Sequence, residues 1–332
     1  MAPRQVAAGD NLNVMARRPG FPHRLLLAAR NVLLVIALVL LSGVLVQAIV
    51  ERGERERYPP PGQLVDVGDG RHIHLRTWGM ENDGPTIILD ASGSYFSSAY
   101  AWYGQMLGTD YRVVAYDRPG MGWSVGRREP RDARSSAEAL TVALERAGIG
   151  PPYVVVGHSF GAFSARVFAD MHRDDVVALI LLDTSHPDQG GGPYYGIPYR
   201  RLALIAHTGL YVLLPLPPAM PSLPEGEAER ANTVSRWTTH LDATAEELEA
   251  FDQSAEQVRQ AGSFGDTPLL VISALGSAGH LGLQADLTRL SSRSEFVHLD
   301  HVYHASMLLD REHAADTVAE IGRFLQRSEP LP

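Results

Sequence analysis

Val154-Val155-Val156-Gly157-His158-Ser159-Phe160-Gly161-Ala162 is the stretch around which the chain reads as organised. Three β-branched residues suit a buried strand. They run into Gly-x-Ser-x-Gly, after which a helix-like stretch with small residues follows. A strand that stops at a sharp turn on a serine, with a helix leaving beneath it, is a nucleophile elbow, which exposes the hydroxyl at the tip of a sheet. Gly157 and Gly161 fit that turn because a Cβ at either place would collide with the neighbouring strand or helix. By composition the pentapeptide arises by chance on the order of one time in ten, so its flanks must carry the reading.

Outward from the elbow, strands alternate with helices. Gln63–Val67 and His72–Trp78 predict a hairpin around Gly68-Asp69-Gly70. Thr86–Asp90, Tyr111–Tyr116, Tyr153–Gly157, Val177–Leu182, Pro268–Ser273 and Glu295–Leu299 predict further strands. Helices are expected over Ser135–Ala147, after Ser159, and over about 311–326. This alternation predicts an α/β fold with a mostly parallel, doubly wound sheet. Residues 186–265 break the rhythm; they are helical, punctuated by proline and partly very apolar. They read as a lid inserted at the carboxyl ends of the strands, where ligands bind in such sheets. Leu202, Leu204, Ile205, Leu210, Tyr211, Val212, Leu213 and Leu214 supply its apolar character, either toward a substrate or simply toward the core.

The N-terminus is different. Residues 1–30 are basic and without apolar periodicity, and are expected to form a cytoplasmic tail. Residues 31–50 include nineteen uncharged residues from Val32 to Val50, a length that suits one transmembrane helix. A cleaved signal peptide, with Val46-Gln47-Ala48 as its cleavage site, is the rival reading and would leave the domain secreted. Arginines precede the span and mixed charges follow it, which predicts a cytoplasmic N-terminus and an external domain over 63–332. Residues 51–62, ending in Pro59-Pro60-Pro61-Gly62, read as a linker.

Charge narrows the function. Residues 1–57 hold eight arginines against four acids, a net +4, which leaves −13 for residues 58–332. So acidic a domain is a poor nucleic-acid binder. The chain has no cysteine, hence no disulfide and no thiolate nucleophile. His72 and His74 share a strand face without further ligands nearby in sequence, so no metal site and no cofactor are expected.

The chain resembles the α/β-hydrolase fold family over about residues 60–328. The resemblance rests on Gly157-His158-Ser159-Phe160-Gly161, on Asp117-Arg118-Pro119-Gly120-Met121-Gly122-Trp123-Ser124, and on His304 beyond the last strand. It implies a triad in the chain order serine, acid, histidine. Ser159 is the expected nucleophile and His304 its base, with His301 as rival. His304-Ala305-Ser306-Met307-Leu308 matches the family's habit of a serine two residues after the histidine. Many relatives carry the acid after the penultimate strand, but Ile272–Gly279 holds no carboxylate. Asp183, at the end of the strand after the elbow helix, is the expected acid, and Asp188 is next. The backbone N–H groups of Phe160 and Gly93, with Ser94 close behind, are the expected oxyanion donors. The family often has His-Gly in that loop, where this chain has Ala91-Ser92. The Asp117–Ser124 turn and His158 are read as structural.

Haloalkane dehalogenases and epoxide hydrolases resemble this chain but place aspartate at the elbow. Ser159 instead implies acyl transfer, with hydrolysis of a carboxylic ester expected and amide or peptide cleavage the alternative within the fold. An apolar, lipid-like ester suits the lid and the anchor. The reading from a different class is an inactive ligand- or partner-binding module, favoured by the missing acid after the penultimate strand.

Overall fold

The computed structural model describes residues 21–126, 130–190, 195–213 and 218–328. Leu214, the side chains of Val212 and Leu213, and residues 1–20 of the expected tail lie outside the described residues.

The strands are β1 (Gln63–Gly68), β2 (Arg71–Trp78), β3 (Thr86–Asp90), β4 (Arg112–Tyr116), β5 (Tyr153–His158), β6 (Val176–Leu182), β7 (Leu269–Ser273) and β8 (Ser294–His298). They form one sheet in the order β1-β2-β4-β3-β5-β6-β7-β8. The pairs β1·β2 and β2·β4 are antiparallel, and every later pair is parallel. Each of the eight lies where the sequence places it, to within two residues at either end.

The helices are α1 (Phe21–Arg57), α2 (Ala101–Leu107), α3 (Ala133–Ala147), α4 (Gly161–Met171), α5 (Ile197–His207), α6 (Glu227–Val234), α7 (Thr238–Glu249), α8 (Phe251–Ala261), α9 (Ala278–Asp286), α10 (Ser306–Leu309) and α11 (Arg311–Arg327). β5 shows how the sheet is held. Val154 and Val156 point into one core with Tyr103 of α2 and Phe324 of α11. Val155 points into the other with Leu140 of α3, Phe163 of α4 and Val258 of α8. A strand buried on both faces reads as a continuous apolar run, and each such fully buried valine contributes about 1.5–3 kcal/mol.

Two parts of the fold depart from the sequence reading. α2 was not foreseen, because it is short and carries Gly104 in its middle. A Cβ there would stand 2.2 Å from the Trp78 ring, so the glycine is needed for helix–strand contact. The N-terminal helix is also longer than the expected 31–50. Residues 51–57 are its last two turns rather than linker, supported by the Glu51–Arg55 and Arg52–Glu56 pairs at i,i+4. Pro59 then stops it, since the residue before a proline is pushed out of the helical region. Over Arg24–Arg57 this helix is long and apolar enough to cross a membrane.

Candidate active site

Ser159 sits at φ +52° between β5 and α4. A non-glycine residue costs about 1–2 kcal/mol in this left-handed region, so the surroundings must impose it. The Ser159 N–H donates to Leu182 O at 3.1 Å, and Ser159 O accepts from the N–H groups of Ala162 and Ser185 at 3.2 and 3.0 Å. The glycines behave as the sequence demands. A Cβ on Gly157 would stand 2.5 Å from Ala162 Cα, and one on Gly161 would stand 2.1 Å from Ala91 O.

The strand order brings the other candidates to the same edge. β6 lies beside β5 and ends at Asp183, which also has a positive φ of 39°. His304 follows β8. Its Nε2 lies 3.0 Å from Ser159 Oγ, and its Nδ1 lies 2.5 Å from Asp183 Oδ2. The rivals lie elsewhere. His301 is half-exposed and pairs with Asp316 at 2.8 Å, while Asp188 pairs with Arg259 at 2.8 Å on the surface.

Asp183 has further partners that the sequence reading missed. His280 Nε2 donates to Oδ1 at 2.7 Å, as does the Ala274 N–H at 2.9 Å. Burial alone would raise this carboxyl, but the hydrogen bond and charge of His304, then His280 and Ala274, hold it well below the usual carboxylate range. The segment after β7 therefore supplies two donors to Asp183, from Ala274 and from His280 in the first turn of α9, and no carboxylate. His280 stands one residue past the stretch read as lacking a carboxylate, and no local pattern there points to Asp183.

His158 is fully buried, and burial pushes its imidazole down to about 3. Its neutral ring donates from Nε2 to His304 O at 3.0 Å and lies 4.6 Å from the His304 ring centre. The packing role read from sequence thus extends to holding the backbone of His304.

Phe160 and Gly93 both line a pocket of about 550 Å³ with Ser159 at its floor and Tyr199, Leu248 and Phe251 on its walls. A Cβ on Gly93 would stand 2.6 Å from Leu248 Cδ2 and 3.4 Å from Phe160 Cβ, so this loop and the α4 N-terminus close on each other.

Arg118 clamps that loop. It donates to Asp90 Oδ1 at 2.5 Å, to Ala91 O at 2.5 Å and to Ser92 O at 2.8 Å. It also forms a two-point pair with Glu247 of α7 at 2.6 and 2.9 Å. All three charged groups are buried. Burial raises both carboxyls against the pull of Arg118, and Glu247 is pushed up to about 7. Asp117 closes the neighbouring turn, accepting from the N–H groups of Ser97 and Trp123 at 2.8 Å each and from His74 at 2.9 Å.

The alpha/beta hydrolase fold family matches residues 85–310. The chain belongs to the α/β-hydrolase fold family. Its hydrolase fold also matches the enol-lactonase of Burkholderia xenovorans LB400, at TM-score 0.60 and 22% identity, covering 79% of this chain and 99% of that one. Among curated proteins, uncharacterized protein C23C11.06c of Schizosaccharomyces pombe is 28% identical over 150 residues, 37% of this chain and 28% of that protein. Uncharacterized protein YqjL of Bacillus subtilis is 32% identical over 109 residues, 32% of this chain and 42% of its own length. The hydrolase-fold chain thus spans less than half the length of these curated relatives.

Proposed function

We propose that this chain is a serine hydrolase that cleaves a carboxylic ester through an acyl-enzyme on Ser159. The observation that carries the reading is the continuous line from Ser159 Oγ through His304 to Asp183, at 3.0 and 2.5 Å. A serine hydroxyl is a weak nucleophile until a base takes its proton. His304 Nε2 takes it as Oγ attacks the carbonyl carbon. Asp183, ionised and facing Nδ1–H, fixes the tautomer and stabilises the imidazolium. The carbonyl oxygen becomes an oxyanion and is received by the N–H groups of Phe160 and Gly93. His304 returns the proton to the leaving alcohol, then deprotonates the water that releases the acid.

The apolar wall of Leu248, Phe251 and Tyr199 suits an apolar or lipid-like ester, and the name of the enol-lactonase neighbour points to ester chemistry in the same fold. The place of Asp183 beside His304 favours an enzyme over an inactive binding module. Helix α1 serves as an uncleaved anchor with its N-terminus in the cytoplasm and the hydrolase domain outside, because arginines precede the span and its last turns are packed into the lid.

A fluorophosphonate probe tests the reading: it labels the folded chain and fails to label Ser159→Ala. Folded, unlabelled native protein would overturn it. Protease added to intact cells digests an external domain; digestion only after lysis would reverse the topology.

A further inference from the structure

Helix α1 meets the lid at two heights. Near its end, Glu51 accepts from the Thr238 N–H at 3.1 Å and its hydroxyl at 2.9 Å, and Glu54 accepts from Trp237 Nε1 at 3.2 Å. Lower down, Gly43 faces the turn after α5. A Cβ on Gly43 would stand 2.0 Å from Thr208 O, and one on Gly209 would stand 2.1 Å from Gly43 O. Two glycines thus meet backbone to backbone, the way helices approach in membranes where small residues let them come close. Gln47, one turn above Gly43, is buried as well.

These heights can be compared with a bilayer. The uncharged run Val32–Val50 is bounded by Arg30 and Glu51. Its nineteen residues make about 28 Å of helix, close to a hydrocarbon thickness of about 30 Å. Shifting the bilayer toward the N-terminus of the helix would carry Arg30 into the core, at a cost of up to about 2.5–3.5 kcal/mol. Gly43 lies seven residues inside the run, about 10 Å along the axis from Val50. Whatever touches Gly43 shares that depth.

The lid turn is suited to it. Leu204 is 61% exposed and Leu210 is 47% exposed. His207, between them, has a partner in Asp242 at 2.8 Å. Arg201 lies exposed one turn before Leu204, and a side chain of that length is able to snorkel toward headgroups. Tyr199, on the same helix, lines the catalytic pocket.

We propose that the lid turn Leu204–Leu210 is immersed among the phospholipid acyl chains beside α1, so that α5 links the bilayer to the wall of the pocket. This rests on the reading of α1 as a membrane span. The absence of cysteine allows a direct test on the full chain in phosphatidylcholine vesicles. Leu204→Cys and Leu210→Cys each carry one polarity-sensitive fluorophore, with Val39→Cys in the span and Ser292→Cys at the opposite end of the sheet as references. Lipids with brominated acyl chains quench the labels at 204, 210 and 39 and leave 292 bright. Labels at 204 and 210 that respond to aqueous iodide while 39 responds to bromolipid would overturn the immersion and leave the anchor standing. A label at 39 that also responds to iodide would remove the span and the proposal with it.

Discussion

His280 Nε2 lies 2.7 Å from Asp183 Oδ1, the carboxylate oxygen that His304 leaves free. One carboxylate is therefore held by two imidazoles and a backbone N–H. Its depressed pKa means that its contribution to stability is present above the ordinary carboxylate range and is lost only as pH falls through the lower, folded value. Asp183 is therefore ionised throughout the neutral pH range.

Replacing Asp183 by Asn leaves the shape but presents the wrong partner to Nδ1–H. Hydrolysis of a short p-nitrophenyl ester is expected to fall about 10³–10⁴-fold. Asp188→Asn, which weakens surface pairs with Arg259 and His186, stays within about twofold. Equal losses in both variants would contradict the assignment of the acid.

His280→Ala removes one charge-assisted hydrogen bond from Asp183, a loss of about 1.5 kcal/mol and roughly tenfold in kcat. His280→Gln, which can still donate, recovers most of the rate. Because Ser159 and His304 are untouched, fluorophosphonate labelling persists in both. An unchanged rate in His280→Ala would show that the contact has no part in positioning the acid.

Gly93→Ala drives a methyl group toward Leu248 Cδ2, 2.6 Å away, and shifts the oxyanion loop. kcat is expected to fall on the order of 10²-fold if the donor is displaced. Leu248→Ala opens the space, so the double variant recovers activity that Gly93→Ala alone has lost. A cycle with no coupling between the two sites would place the clash elsewhere.

Arg118→Met leaves Asp90 and Glu247 buried without a counter-ion, a destabilisation of about 3–5 kcal/mol, read as a fall in Tm of roughly 10 °C. Glu247→Gln tests the same cluster by pH. With its pKa pushed up to about 7 from the ordinary 4.5, native Glu247 keeps a proton that the unfolded chain has released in that window. Stability from this group is thus greatest at low pH and declines as pH rises through about 7. Tm against pH is expected to be flatter over that range in Glu247→Gln than in the native chain.

The central strands were legible because each is a short apolar run closed by turn residues, the β1–β2 hairpin because of Gly68-Asp69-Gly70 between its arms, and the order serine, acid, histidine is what the family resemblance implies. Ser159 and Asp183 each stand one residue past a strand end, whereas His304 is preferred to His301, which lies nearer its strand, because the family resemblance places a serine two residues after the histidine, as Ser306 does. His280 could not be chosen from sequence, since nothing in Ala278-Gly279-His280 reveals that the first turn of α9 stands over Asp183. The bond between Arg118 and Glu247 was equally hidden. Their 129 positions of separation are closed by the lid, and no local pattern encodes that meeting. The linker reading of 51–62 rests on the spacer Pro59-Pro60-Pro61-Gly62, whereas Glu51 and Glu54 before it accept hydrogen bonds from the lid.

That helix has a mechanical consequence. α1 is unbroken over 37 residues, roughly 55 Å. Its upper end grips α7 through Thr238 and the preceding Trp237, while the far end of α7 grips Arg118 and, through it, the carbonyls of Ala91 and Ser92. A tilt of the rod at one end is therefore passed along α7 and through Arg118 to the Ala91–Ser92 loop, the proposed oxyanion loop, at the other.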